Sequence, residues 1–339
     1  MEEYKKFAFL MHPRNIRDIV NVYPILKLVP SKVIKFLITF LNPLVLGRVN
    51  IILDNNIIEG FLIGIFLTAD QMLSLPKSFV QKKIVKSLFL ADSLDVGIVG
   101  LGGLTSPITN GGVDLLGKFH TGITTGNAFT VSTSLDGLID ILRRKNLNPS
   151  LMNFCIVGAT GSIGQGISKK IAQITPSLLL IGRTFNHLIE LEKNIIEINP
   201  LTRVIISTNI EDIKESDVVI VATTSSEALI TPDILKRGAI VYDIAQPKNV
   251  SKEVIKKRQD VLVVDGGLVE VPNININFNL FLPPLTIYGC LAETILLAAE
   301  RKYYNYSIGK VTLEKIDEIN QIGKKYNFKH KILYNKISS

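Results

Sequence analysis

The sequence predicts an α/β protein: a smaller N-terminal α/β domain, then a doubly wound parallel sheet, then terminal helices that pack back on the first domain. Three observations predict it. From residue 153 onward, short runs that are apolar throughout alternate with segments of helical period, as in a parallel sheet covered on both faces. The first of these runs ends in a glycine-rich turn that opens a helix. The first 150 residues instead mix hairpin-like strands with amphipathic helices.

In chain order, residues 6–11 read as a strand, and residues 48–53 and 57–68 as a hairpin turning at Asp54, Asn55 and Asn56. Residues 77–93 read as a helix, with Val80, Ile84, Val85 and Leu88 at helical spacing. Residues 96–101 form a short apolar strand that runs into Gly102-Gly103-Leu104-Thr105-Ser106-Pro107, too rich in glycine and proline for regular structure. A second glycine-rich piece at 122–127 precedes a helix over 128–145. Strands are then expected at 154–157, 178–181, 203–207, 218–222, 240–242 and 261–264, with helices over 163–174 and 185–198. After Pro283-Pro284 come helices over 287–302 and 312–326. The resulting division is 1–145, 146–280 and 281–339.

Of 339 residues, 47% are hydrophobic and 20% charged, which excludes disorder over most of the chain and permits a large core without staples. Two distant cysteines, Cys155 and Cys290, exclude a disulfide framework and fit a reducing compartment. The mean hydropathy of +0.31 is high. Yet the apolar stretch at 24–49 is interrupted by Lys27, Pro30, Lys32, Lys35 and Pro43, and no window supplies the ~20 apolar residues of a spanning helix. No secretory signal is evident, so the expected location is cytoplasmic. Amphipathic segments at 25–46 leave a peripheral membrane contact open, with coverage of a core as the favoured reading.

The formal net charge is +8. The basic residues form short clusters, among them Lys82, Lys83 and Lys86; Arg143, Arg144 and Lys145; Lys256, Lys257 and Arg258; and Lys324 and Lys325. Each reads as a solvated helix face or end. An acidic protein partner is the second reading, and nucleic acid, lacking aromatic-basic interleaving, is not expected. The histidines, His12, His120, His187 and His330, form no metal pair, and no metal is expected.

The strongest motif follows the first strand of the second half: Gly158-Ala159-Thr160-Gly161-Ser162-Ile163-Gly164. Gly158 permits the tight turn, Gly161 lets the backbone approach a pyrophosphate, and Gly164 lets helix and strand pack closely. The phosphate would sit on the helix N-terminus, where amide donors and the dipole favour an anion. This is a Rossmann-type dinucleotide site. The next strand ends not in the acidic residue of an NAD site but in Arg183 and Thr184, nineteen residues past Gly164. A guanidinium there holds a 2′-phosphate, so NADPH is the expected cofactor. Ala222 and Thr223, at the end of a neighbouring strand, join the cofactor set.

Cys155 lies within a strand and reads as inert core. Cys290 opens an apolar helix, where the positive end of the dipole lowers a thiol pKa and favours thiolate. The residues alone leave it between a nucleophile and a small buried side chain. Glu293 lies on the same helical face, to orient or deprotonate the thiol or to serve the dipole.

Taken together, these stretches resemble the long-chain acyl-[acyl-carrier-protein] reductases, the aldehyde-forming enzymes related to shikimate-dehydrogenase-like two-domain reductases. The matching marks are residues 57–60, Leu101-Gly102-Gly103-Leu104-Thr105-Ser106, Thr124-Thr125-Gly126-Asn127, the Gly158–Gly164 turn, Pro247-Lys248-Asn249, residues 265–270 and Cys290-Leu291-Ala292-Glu293. The resemblance implies that Cys290 takes an acyl group as a thioester and that hydride from NADPH releases a fatty aldehyde. It implies that residues 265–270, with Gly266 and Leu268, approach the nicotinamide. Thr125 and Asn127 then begin the helix linking the two domains. Backbone amides near Cys290 and the Ser106 and Thr125 hydroxyls are the candidate oxyanion donors. The implied partners are an acyl carrier protein or acyl-CoA and a long-chain acyl group. The alternatives are a shikimate- or quinate-type NADP dehydrogenase of a small polar substrate and a non-catalytic NADP-binding sensor.

Overall fold

Lys5–Met11 (β1) carries the apolar run Phe7–Leu10 into the centre of a sheet. Its neighbours are Leu44–Leu53 (β2), Asn56–Gly64 (β3), Ile98–Leu101 (β4) and Gly122–Thr124 (β5). The order is β2-β3-β1-β4-β5, with the short strand Ile274–Ile276 antiparallel on the outside of β2. This is a computed structural model, and it describes residues 5–225 and 227–334. The chain forms two compact units rather than three successive segments. The first comprises Met1–Phe129, Val269–Gly309 and Gln321–Lys329; the second comprises Thr130–Leu268, Lys310–Asn320 and His330–Ser339.

In the first unit, β2 and β3 form the expected hairpin, and Asp54 and Asn55 both take positive φ at its turn, as a type I′ turn requires. β3 stops at Gly64, although the apolar run continues. Ile65 and Leu67 are wholly buried in the connection that follows, so their hydrophobicity reports burial rather than strand. The Gly/Pro-rich stretch after β4 is not wholly irregular, because Thr105–Ile108 closes one helical turn. The Gly289–Ala299 helix is buried along its length apart from the half-buried Cys290 and packs on β1 and β4.

Lys83 departs from the expectation of a solvated basic face. It is buried in the Lys77–Asp92 helix, and its Nζ donates to the Leu41 carbonyl at 2.7 Å. Near the N-terminus, helices Ile16–Val22 and Ser31–Ile38 bury Ile19, Ile34 and Ile38 in a small cluster of their own. Among the described residues no helix is long and apolar enough to cross a membrane.

The second unit is built on six parallel strands: Phe154–Val157 (β6), Ser177–Ile181 (β7), Arg203–Ser207 (β8), Val218–Val221 (β9), Ile240–Asp243 (β10) and Leu262–Glu270 (β11). Their order is β11-β10-β9-β6-β7-β8. The chain winds outward from β6 through β7 and β8, then returns to β9 on the other side. The winding therefore reverses between β6 and β9, the place where doubly wound sheets bind their ligands at the carboxyl edge.

Candidate functional site

The glycine turn stands at that reversal. The N–H groups of Gly158 and Ala159 donate to the carbonyl of Ile181, which ties the turn to the end of β7. Gly158 has a φ of +82°, and a Cβ there would lie 2.6 Å from the Ala222 carbonyl oxygen. At Gly164 a Cβ would lie 2.1 Å from the Gly158 carbonyl. These two glycines are demanded by the fold. Gly161 is not, since a Cβ there would meet nothing closer than 3.4 Å. Its missing side chain leaves a bare backbone at the N-cap of helix Ser162–Ile171, which has no side-chain cap. Unfilled space beside uncapped amide donors is what a pyrophosphate needs.

Arg183 and Thr184 follow at the end of β7. Gly182 packs its backbone near Thr160, so the two segments adjoin. Arg183 is exposed and has no hydrogen bond or ion pair among the described residues. Thr184 is the N-cap of helix Phe185–Ile198, and its hydroxyl makes no cap bond. Ala222 and Thr223 back the turn at the end of β9. Gly266 and Leu268 share the carboxyl edge but lie on β11, three strands from β6. Gly266 is packed against the Tyr242 ring, and the Leu268 carbonyl accepts from the Thr133 hydroxyl.

On this edge the structure also reveals a cluster whose chemistry the sequence reading left unassigned. Lys248 Nζ pairs with Asp265 at 3.2 Å and donates to the Asp243 carbonyl at 2.9 Å. The buried Asp243 carboxylate accepts from the N–H groups of Ala245, Asn249 and Val250. Burial raises its pKa against those donors and the nearby Lys248 charge. The cue in the sequence was polar residues just past two apolar strands.

Cys290 lies in the first turn of the Gly289–Ala299 helix and is half-buried. The expectation of a lowered thiol pKa does not hold in this setting. Burial, with the Glu293 charge behind it, pushes the thiol up to about 12, against the lowering effect of backbone N–H bonds from Leu291, Cys290 and Gly103. Desolvation outweighs the helix end, so the resting group is a thiol surrounded by amide donors. Cys155, wholly buried in β6, is also pushed well up by burial.

Glu293 is not positioned as a base. No hydrogen bond joins it to Cys290 among the described residues; its carboxylate accepts instead from the Thr124 hydroxyl at 2.5 Å and the Phe129 N–H at 2.7 Å. It is wholly buried, and burial raises its own pKa. Glu293 thereby clamps the 124–129 turn beneath the cysteine. Gly126 in that turn has a φ of +74°, and a Cβ there would fall 2.2 Å from Cys290 Cα. Only glycine permits this approach.

The hydroxyl proposed at Thr125 as an oxyanion donor is already committed, donating to the Ser307 carbonyl at 2.6 Å. The Ser106 hydroxyl and the Asn127 amide have no hydrogen-bond partners among the described residues and remain available. His12 is a further participant that sequence reasoning passed over. Its Nε2 accepts from the Leu104 N–H at 3.0 Å, and Nδ1 lies 3.0 Å from the Pro13 carbonyl. Burial lowers its pKa and keeps the ring neutral, so Nδ1 carries the proton. The ring braces the Gly102–Leu104 turn, whose Gly103 N–H faces the Cys290 sulfur. Its only signal in the sequence was a position at the end of an apolar strand.

Known proteins bear on this arrangement. The shikimate / quinate 5-dehydrogenase family matches residues 142–266. The chain is 28% identical over 289 residues to the aminotransferase PigE of a Serratia species, covering 80% of this chain but only 32% of PigE. It is 24% identical over 269 residues to a long-chain acyl-[acyl-carrier-protein] reductase of Synechococcus elongatus, covering 73% of this chain and 75% of that protein. The chain carries that family match wholly within its second unit, whose doubly wound sheet is of the Rossmann type. Its cofactor is a nicotinamide dinucleotide, which the uncapped helix and glycine turn fit.

Proposed function

We propose that the protein reduces a long-chain acyl thioester, carried by acyl carrier protein or CoA, to a fatty aldehyde. The observation that carries this reading is Cys290: a lone, half-buried thiol at a helix start, with N–H donors from Gly103 and Leu291 on its sulfur. The likeness to the acyl-[acyl-carrier-protein] reductase supports the substrate class.

The thiol loses its proton as it attacks the acyl carbonyl, the carrier thiol leaves with a proton, and a thioester forms on Cys290. When bound, NADPH would supply a hydride to the thioester carbonyl carbon; the C–S bond then breaks, the aldehyde leaves, and the Cys290 sulfur departs as thiolate and regains a proton. Arg183 and Thr184 would hold the 2′-phosphate, and the Gly158–Gly164 turn would hold the pyrophosphate. The backbone amides around Cys290 and the free Ser106 hydroxyl steady the negative charge that develops on sulfur and oxygen. Glu293, Gly126 and His12 keep the two turns in place. An apolar substrate suits the binding energetics, because each buried CH₂ contributes about 0.8 kcal/mol.

A second reading, dehydrogenation of a small polar substrate, is favoured by the Lys248–Asp265 pair at the carboxyl edge of the Rossmann sheet. Mass spectrometry of the protein incubated with palmitoyl thioester, without NADPH, separates the two. An acyl adduct on Cys290 is the expected result. No adduct, with activity lost in Lys248→Ala, would favour the second reading.

A further inference from the structure

We propose that residues 23–45 form a docking face for a membrane surface bearing anionic headgroups. The Ser31–Ile38 helix turns Ile34 and Ile38 inward onto the Ile19 cluster, and that face is closed. Val33, Phe36, Leu37, Phe40 and Leu41 follow the same i, i+3, i+4 spacing on a neighbouring face, through the hydrogen-bonded turn that extends the helix. All five are exposed: Phe36 is 64% and Phe40 68% accessible, and their rings pack edge to face at 5.0 Å. Ile25 and Leu28, in the preceding turn, are 78% and 88% accessible. Single exposed apolar residues are ordinary, but a continuous stripe of this kind marks an interaction surface.

Charge identifies the occupant. No Asp or Glu stands between Asp18 and Asp54, while Lys27, Lys32, Lys35 and Arg48 do. Lys27 and Lys32 are exposed without ion pairs among the described residues, whereas Lys35 pairs with Asp70 at 3.4 Å. Aromatic and aliphatic side chains beside lysines, with no acidic residue, match the acyl-headgroup boundary of an anionic bilayer, in which such a helix lies flat. A second copy of the chain is a poorer occupant. Two-fold pairing would bring the same lysines together with no carboxylate to receive them.

The test is flotation of the full chain with vesicles of phosphatidylcholine, with and without phosphatidylglycerol. Binding is expected with phosphatidylglycerol and should weaken as salt rises. Phe36→Ser with Phe40→Ser should weaken binding about tenfold or more, since two exposed rings would no longer leave water. Lys27→Glu with Lys32→Glu should abolish the preference for phosphatidylglycerol. Thermal midpoint and NADPH binding report folding, and Leu28→Ser is the replacement if the double Phe variant is destabilised. Failure of the unmodified chain to bind anionic vesicles at low salt overturns the proposal, as does equal binding by the Phe or Leu28 variants. A dimer in light scattering that the Phe variant dissolves would assign the face to a second copy. Loss of acyl-carrier-protein binding alone, with vesicle binding intact, would assign it to that acidic partner.

Discussion

Cys155 and Cys290 are the same side chain in opposite settings. One is wholly buried in β6, the other half-buried among backbone donors, and both are held as thiols by burial. Cys290→Ser should abolish aldehyde formation and acyl labelling while NADPH still binds, and Cys155→Ser should stay active. Retained labelling in the Cys290 variant would sink the thioester reading. The raised pKa has a second consequence. Folding favours the protonated Cys290; that contribution is complete below the ordinary thiol value of 9.0 and is lost as pH rises toward about 12. Iodoacetamide labelling of Cys290 should therefore keep accelerating well above pH 9.0, the value about which an ordinary thiol titrates and beyond which its rate levels off. Arg183 is exposed and unengaged among the described residues, so Arg183→Ala should affect the cofactor rather than the fold. Loss of one charge-assisted contact of about 1.5–3 kcal/mol should weaken NADPH binding roughly 10- to 150-fold, and NADH binding much less. Equal weakening of both would remove Arg183 from the 2′-phosphate.

Elements meet here through a few buried ties. The 124–129 turn reaches the Gly289–Ala299 helix through Glu293 and through the contact of Gly126 with Cys290. Gly126→Ala places a Cβ 2.2 Å from Cys290 Cα and keeps a positive φ, and neither backbone can yield cheaply. It should cost about 2 kcal/mol or more, seen as a lowered thermal midpoint together with an altered rate of Cys290 labelling. In the second unit, Asp140 on the Asn127–Arg144 helix binds His330 of the Lys329–Tyr334 strand. Burial pushes its pKa up, but Arg144, Arg143 and His330 outweigh it and hold the carboxyl at about 2. A depressed carboxyl stabilises above its unfolded value of 3.8, and that contribution disappears as pH falls through about 2. Asp140→Asn should lower the thermal midpoint at neutral pH, with the gap to the unmodified protein closing below pH 3.8. A gap independent of pH would show that packing, not charge, carries the tie.

At the scale of the whole molecule, a charge of +8 does not amount to a basic groove. Arg143 and Arg144 are drawn to Asp140, Lys257 to Glu253, Arg258 to Asp260, and Lys325 to Glu300. The attraction of an acidic carrier protein that the proposed function calls for therefore rests on basic residues without an ion pair among the described residues, of which Lys82 is one. Lys82→Glu should flatten the fall of kcat/KM with salt for a carrier-bound substrate more than for acyl-CoA, without loss of stability. Lys83→Glu, one residue on, should instead unfold the first unit, because the Nζ bond to the Leu41 carbonyl is replaced by a buried, unpaired carboxylate. Similar thermal midpoints for the two variants would contradict this.

The fold class, the hairpin turn at Asp54 and Asn55, the Gly158–Gly164 turn and the helix-start position of Cys290 were legible in the sequence. Each is a local matter: side-chain periodicity, tolerance of positive φ, or spacing within one turn. What Glu293 does was not legible, because its partner Thr124 lies 169 residues away and the two meet only when the sheet is assembled. The direction of the Cys290 shift was hidden for the same reason. A helix end is visible in a sequence, whereas the desolvation that overrides it is a property of everything packed around the sulfur. The Ser31–Ile38 helix makes the point most simply. It is apolar on both faces, so hydropathy could not say which face would be covered. Tertiary structure decided that the Ile34 side is closed and the Phe36 side open, because only the Ile19 cluster stands opposite it.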